Sequence, residues 1–265
     1  MKNTLFILIL FFLSPKTDAQ EMNPPRQVYF FLGIGFPIMK VRDQAHSPLK
    51  YQGWMPTLRI GHEEINQGYV SRIALSAGFG GGAPKSKPKA AQSQSAFEIS
   101  YFQFSYAYYS LLGSYNTEGW NRYLGGAFTF TFDLRNYNLP SNNLLGYQVN
   151  TSLNVGAFVR KKLSDDWRFN YEAITPVISY CVRPNYIGMA PATKGDFDFK
   201  DVIKSGKIVT VNKLFRFYNR FGFDQQINEH RQRRLSYTWD FHNNVVAKPL
   251  QSTSGGLGYE SLFKM

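Results

Sequence analysis

The sequence predicts an all-β chain: a transmembrane, antiparallel up-and-down β-barrel of ten strands, with eight as the alternative. A cleaved signal peptide precedes it. Three observations carry this prediction. Apolar and polar residues alternate with a period of two through segments of about ten residues or more, the pattern of strands with one apolar and one polar face. After the first twenty positions no stretch approaches the roughly 18 consecutive apolar residues of a spanning helix, whereas barrel strands are short and half polar. Connections between the segments tend to alternate between short and long.

The first residues set the compartment. Lys2 supplies a positive start, Leu5 to Leu13 (LFILILFFL) is an unbroken apolar run, and Thr17 and Ala19 stand at the −3 and −1 positions of a cleavage site before Gln20. This is the layout of a secretory signal peptide. Residues 1–19 are expected to be removed and residues 20–265 to form a single barrel domain. Nine apolar residues are too few for a membrane anchor, which needs about 20 in a helix. The residue directly after the cleavage site is Gln20 and not Cys, so a lipid anchor is not indicated.

Composition agrees. Aromatics are 17% of the chain while mean hydropathy is mildly negative, a combination that alternation produces and continuous apolar segments do not. Cys181 is the one cysteine, which excludes an internal disulfide; it reads as a small apolar strand residue. The formal charge is +12, and removal of Lys2, Lys16 and Asp18 with the leader leaves +11. In an exported protein the nearest polyanion is a phosphate-bearing membrane surface, so nucleic acid is not an expected partner.

The segments follow in order. Val28, Phe30, Leu32, Ile34 and Phe36 alternate with Gly33 and Gly35. Trp54, Leu58 and Ile60 alternate with Thr57, Arg59 and Gly61, and Tyr69, Ile73, Leu75, Ala77 and Phe79 with Arg72, Ala74, Ser76 and Gly78. Between Phe97 and Leu112 the apolar phase slips near Tyr101 and Phe102. From Trp120 to Asn136 the pattern is clearest: Leu124, Phe128, Phe130, Phe132 and Leu134 oppose Asn121, Ala127, Thr129, Thr131, Asp133 and Arg135. Tyr147, Val149, Leu153, Val155, Ala157 and Val159 then oppose Gln148, Asn150, Ser152, Asn154, Gly156 and Arg160. Between Trp167 and Val182 the phase slips near Ile174, beside Pro176. Both slips read as β-bulges, which restore register and tolerate Pro. Val209, Val211, Phe215 and Phe217 oppose Thr210, Asn212, Arg216 and Arg220. Leu235, Tyr237, Trp239 and Phe241 oppose Ser236, Thr238, Asp240 and His242, and Leu257, Tyr259 and Phe263 oppose Gly256, Gly258 and Glu260.

The links on one side are 42–50, 82–94, 137–143, 183–206 and 243–254. On the other side they are Glu64–Gln67, Gly113–Glu118, Ser164–Asp166 and 224–232. Two depart from the short/long rule: 137–143 is short and 224–232 is long. The run Gly80–Gly82 reads as a loop breaker, and no helix follows it to make a phosphate cradle.

A soluble sandwich would also alternate. Strands 119–136 and 144–162, however, exceed the usual five or six residues and the 9–11 needed to cross a bilayer. Aromatics also gather where interfaces belong. Tyr69, Trp120 and Trp167 open strands on the short-turn side, and Phe221, Phe223 and Phe263 close strands there, as in an interfacial girdle.

Signal peptide, alternating strands, unequal connections and the closing GLGYESLF segment together resemble the small outer-membrane β-barrel proteins of Gram-negative bacteria over residues 26–265. The resemblance is architectural and points to no subfamily. It implies a place in the outer membrane with lipid and lipopolysaccharide as partners. Other outer-membrane or periplasmic proteins are further candidate partners.

The polar face would line the barrel interior. It carries Arg59, Arg72, Asp133, Arg135, Arg160, Arg168, Glu172, Arg216, Arg220, Asp240 and Glu260. A ten-stranded barrel is narrow enough for side chains to fill it. Arg–carboxylate forks would then plug the lumen. Because Arg outnumbers acid, a pore selecting anions is the alternative.

Chemistry has weak footholds. Ser236, Asp240 and His242 share an inward face, which admits a barrel enzyme acting on lipid A or phospholipid. Ser236 is too far along the strand for His242 to activate it, so a nucleophile would come from a neighbouring strand. No HExxH, CxxC, Walker loop or GxSxG occurs, and neither a metal nor a cofactor is expected. His46 and Ser47 are adjacent in the first long link, and His62 and His230 are isolated. Lys85, Lys87 and Lys89 read as a solvated loop or a contact for lipid phosphates; 183–206, with Phe197 and Phe199, reads as a lid or binding surface. The function classes left open are a non-enzymatic barrel serving an outer-membrane assembly, a barrel enzyme, an anion channel and a secreted sandwich, with enzymatic activity the less favoured side.

Overall fold

The computed structural model describes residues 26–44, 49–85, 96–117, 119–139, 142–183, 205–246 and 249–265. The predicted signal peptide, His46, Ser47, Lys87, Lys89, Phe197 and Phe199 lie outside the described residues.

Strands account for nearly all of the described chain. They are β1 (Gln27–Asp43), β2 (Lys50–Trp54), β3 (Thr57–Ile65), β4 (Tyr69–Pro84), β5 (Phe97–Leu111) and β6 (Trp120–Leu139). β7 (Asn142–Lys162), β8 (Trp167–Val182), β9 (Lys207–Thr210), β10 (Leu214–Asn228), β11 (Arg231–Asn244) and β12 (Leu250–Lys264) follow. All ladders are antiparallel between arms adjacent in the ring, and β12 pairs with β1 from Tyr29↔Lys264 to Asp43↔Leu250, which closes the ring. Closure satisfies the backbone groups that an open sheet leaves along its edges.

The twelve segments make ten arms, the expected number, because two arms are interrupted. β2 and β3 both pair with β1 and β4 and are split at Met55–Pro56. Pro cannot donate to the ladder. Met55 N donates instead to Pro37 O at 3.1 Å, and Phe79 N to Pro56 O at 3.2 Å. Beside this break a Cβ on Gly53 would lie 1.8 Å from Gly81 O, and one on Gly80 would lie 2.0 Å from Trp54 O. Gly80–Gly82 are thus strand residues of β4 demanded by close backbone approach, not the loop breaker expected. The second interrupted arm is β9 and β10, both paired with β8. The expected common face of Val209 and Phe215 is broken here: Val209 is buried in the lumen, residues 211–213 turn, and Phe215 points outward.

The bulge expected in β8 is present. Leu153 pairs with Ile178 and Asn154 with Pro176, so Val177 is the extra residue. The bulge expected in β5 is absent, since its register against β4 and β6 runs unbroken. The apparent slip arises because β5 turns large side chains to both faces: Phe97, Ile99 and Tyr109 inward, Phe102, Tyr106 and Tyr108 outward. The 224–232 connection is also shorter than expected. β10 runs to Asn228 and β11 starts at Arg231, which leaves a tight turn and restores the short-turn rule on that side.

The distribution of polarity inverts that of a water-soluble protein. Leu32, Phe36, Leu58, Phe79, Leu153 and Leu257 point outward and are exposed, while Glu63, Arg72, Glu172, Arg220, Arg234 and Glu260 are buried in the lumen. The chain is one ring and not two packed sheets, so the sandwich alternative is excluded.

Candidate functional site

The lumen is where the chain gathers its polar chemistry. Alternation along each strand turns every second residue inward, and closure of the ring brings those residues together.

Near the short-turn end lies a lattice of four arginines and four carboxylates: Arg59, Arg72, Arg220, Arg234, Glu63, Glu172, Asp224 and Glu260. Arg234 holds Glu63 at 2.8 and 3.0 Å, Glu260 at 3.3 Å, and Asp224 at 2.9 Å through Nη2. Arg72 pairs with Glu63 and, at 3.4 Å, with Glu172. Arg220 reaches Glu172 at 3.1 Å and Glu260 at 3.7 Å, and Arg59 reaches Glu260 at 3.1 Å. The lattice is formally neutral, as burial requires: an unpaired charge in such a setting is costly, and Arg forks match carboxylates. Aromatics seal it. Tyr109 donates to Glu172 at 2.9 Å and stacks on Phe158 at 5.9 Å, while Arg72 sits 5.4 Å from the Phe31 ring centre.

At mid-height is a cavity of about 210 Å³, walled by residues including Gln103, Thr129, Thr131, Asn150, Ser236 and Thr238. Arg216 clasps Asp240 beside it, Nε to Oδ1 at 3.0 Å and Nη2 to Oδ2 at 2.7 Å. Toward the long-loop end, Asp43 pairs with Arg135 (3.3 Å) and Arg183, and Arg135 with Asp133 (2.8 Å). Tyr51, Phe97 and Tyr137 pack over this group with ring centres 5.1 to 5.8 Å apart.

The structure places the candidate residues plainly. Arg59, Arg72, Glu172, Arg220 and Glu260 meet in one lattice, Asp133 and Arg135 in another, and Arg216 and Asp240 form a pair between them. Arg168 faces the lumen but stands outside these pairs; its contact is Gln226 Oε1 at 3.4 Å. Ser236, Asp240 and His242 share one face of β11, yet Asp240 is held by Arg216 and the His242 ring approaches Gln148 at 3.5 Å. Among the described residues no hydrogen bond joins the three, and no three His, Cys, Asp or Glu side chains are grouped to hold a metal.

Five lumen charges were missed by sequence reasoning: Glu63, Asp224, Arg234, Asp43 and Arg183. Three of them, Asp43, Arg183 and Asp224, fall in stretches read as connections. Continuing the alternation Arg59–Gly61–Glu63 or Ser236–Arg234 would have found two.

The aromatics lie on the outward face of the short-turn half; Phe221 and Phe223, expected to close a strand, stand seven and five residues inside the end of β10 because that strand runs on to Asn228. Tyr69 stacks on Tyr108 at 5.4 Å, Trp120 meets Phe169 at 6.1 Å, Phe169 meets Phe223 at 5.5 Å, and Phe221 meets Tyr171 at 4.8 Å. Trp167 opens β8 at the same rim. Lys161 sits 5.0 Å from the Trp120 ring and Arg231 5.7 Å from that of Phe263. In the turn beyond β7, the Lys162 ammonium 2.8 Å from Asp165 holds that carboxyl below its usual range.

No protein-family model and no curated protein matches the chain. Solved structures do. The outer membrane protease OmpT from Escherichia coli superposes over 93% of this chain and 99% of its own, with a TM-score of 0.57 at 6% identity. Neisserial surface protein A (89% and 97% covered, 10% identity) and the β domain of the Bordetella autotransporter BrkA (90% and 98%, 10% identity) align with TM-scores of 0.38 and 0.45, which add nothing to the argument. At such identity the likeness concerns fold alone. The chain has the fold of the outer-membrane β-barrels of Gram-negative bacteria.

Proposed function

We propose that this chain is an integral outer-membrane β-barrel with a plugged lumen, acting as a structural or accessory subunit of an outer-membrane assembly. The observation that carries the reading is the neutral eight-charge lattice sealed by Tyr109 and Phe158. An anion channel needs a hydrated path lined by surplus cations; here carboxylates and aromatic rings occupy that path. An enzyme of the Ser–His–carboxylate type needs Asp240 to orient His242, and Asp240 is committed to Arg216. One solved structure of this fold is named a protease, and at 6% identity that likeness concerns the fold alone. The outward apolar surface supports residence in lipid, with lipid and lipopolysaccharide as its immediate partners.

The test has two stages. The protein should stay in the outer-membrane fraction after carbonate extraction and migrate differently on gels before and after boiling. Extracted in mild detergent, it should run on native gels as part of a larger complex and give no unitary conductance in planar bilayers. Reproducible anion-selective conductance overturns the plug, and migration as a lone barrel overturns the accessory role.

A further inference from the structure

Two arginines near the short-turn mouth stand outside the neutral lattice. Arg160 is 7% exposed, yet its Nε and Nη2 have no partner. Arg168 contacts a neutral amide, Gln226, at 3.4 Å. No carboxylate lies within 4.0 Å of either guanidinium among the described residues. Beside them, Asn170 is 3% exposed with neither Nδ2 nor Oδ1 bonded, and Tyr123 is 1% exposed with a free hydroxyl.

These side chains adjoin. Arg160 on β7 is the cross-strand partner of Asn170 on β8, and Phe158, the next inward residue of β7, is the partner of Tyr123 on β6. Arg168 is the next inward residue of β8 toward the rim. Two guanidinium groups, an amide and a phenol from three adjacent strands thus share one patch of lumen wall. The nearest carboxylates are taken: Glu63 by Arg72 and Arg234, Asp224 by Arg234. A buried guanidinium without a counter-ion is strongly disfavoured, and its planar fork matches the oxygens of phosphate-type groups.

We infer that Arg160, Arg168, Asn170 and Tyr123 form a binding site for an oxyanion of the phosphate class, reached from the short-turn mouth of the barrel. The inference rests on the lumen geometry and is independent of the accessory-subunit reading. The anion is either free phosphate or the phosphate of a phospholipid headgroup.

The full mature chain, purified in a phosphate-free maltoside detergent, is titrated with radiolabelled inorganic phosphate. In parallel, the protein is reconstituted in phosphatidylglycerol nanodiscs, released, and examined by native mass spectrometry for retained lipid. One saturable phosphate per chain, weakened at least tenfold by Arg160→Gln and several-fold by Arg168→Gln but not by Arg122→Gln on the exposed face, identifies a free-ion site. Retained phosphatidylglycerol that disappears in Arg160→Gln, without phosphate binding, identifies the headgroup. If Arg160→Gln does not fold, the wild-type titration and Arg168→Gln decide. Binding of neither probe by the wild type overturns the site, as does binding unaffected by both substitutions.

Discussion

Arg234 and Glu63 stand 171 positions apart in the chain and meet through two hydrogen bonds of 2.8 and 3.0 Å. Their strands, β11 and β3, are not neighbours; β12 and β1 lie between them in the ring. The contact therefore exists only after the barrel has closed, and it reports closure directly. Glu63→Gln removes one charge and leaves Arg234 with an uncompensated share of its own. A loss of about 3–5 kcal/mol is expected, as for other broken buried pairs. Urea unfolding in detergent, followed by the gel shift on boiling, measures it. The double change Glu63→Leu with Arg234→Met should not recover that loss, because Asp224 and Glu260 lose the same guanidinium and Arg72 loses Glu63.

The backbones of β2 and β4 come close together at Gly53 and Gly81. Gly53→Ala puts a methyl into the Gly81 carbonyl and is expected to cost about 1–3 kcal/mol through forced backbone shifts. Gly68, in the turn before β4, has open space around it, so Gly68→Ala should fold with unchanged yield. Refolding yields of the two variants, read from the heat-modifiable band, make the comparison.

How much of this was legible in the sequence follows from what alternation reports. Phe128, Phe130 and Phe132 against Thr129 and Thr131 reveal two faces without ambiguity, because one side is an apolar outer wall and the other a polar lumen. The signal fades wherever that contrast does. Asp224, Gln225 and Gln226 and then Arg231 to Arg234 are polar on both faces, so 224–232 looked like a loop, and Arg234, between that loop and Leu235, was missed. In β5 the contrast fails differently, because Ile99 and Tyr101 fill the lumen while Phe102 faces outward. Pairing is hidden for another reason. Alternation assigns a face, whereas the meeting of Arg234 with Glu63 depends on the order and stagger of strands around the ring.

Ser236 and His242 bear on catalysis in the lumen. With Asp240 held by Arg216 at 2.7 Å, Ser236→Ala and His242→Ala should leave the phospholipid and lipid A profiles of expressing cells unchanged. Mass spectrometry of extracted lipids reads this. A lipid species that vanishes in either variant would restore the enzyme reading and would require Asp240 to leave Arg216 during turnover.

Val155 separates lipid from water as the medium around the wall. It points outward at 41% exposure, six residues before Lys161, which sits at the level of Trp120. Six strand residues span roughly 20 Å, or about 15 Å along the barrel axis after tilt, near the middle of an apolar band about 25 Å tall. On a water-facing surface Val155→Arg would change stability by no more than about 0.5 kcal/mol. At the midplane of a bilayer it is expected to cost about 2–4 kcal/mol. Leu163, beyond the end of β7 and 52% exposed, provides the matched control, and Leu163→Arg should cost about 0–1 kcal/mol. Unfolding of both variants in lipid vesicles gives the difference. Equal and small losses would mean that the outward face meets water, and the apolar wall would then need another explanation, such as burial against a second protein.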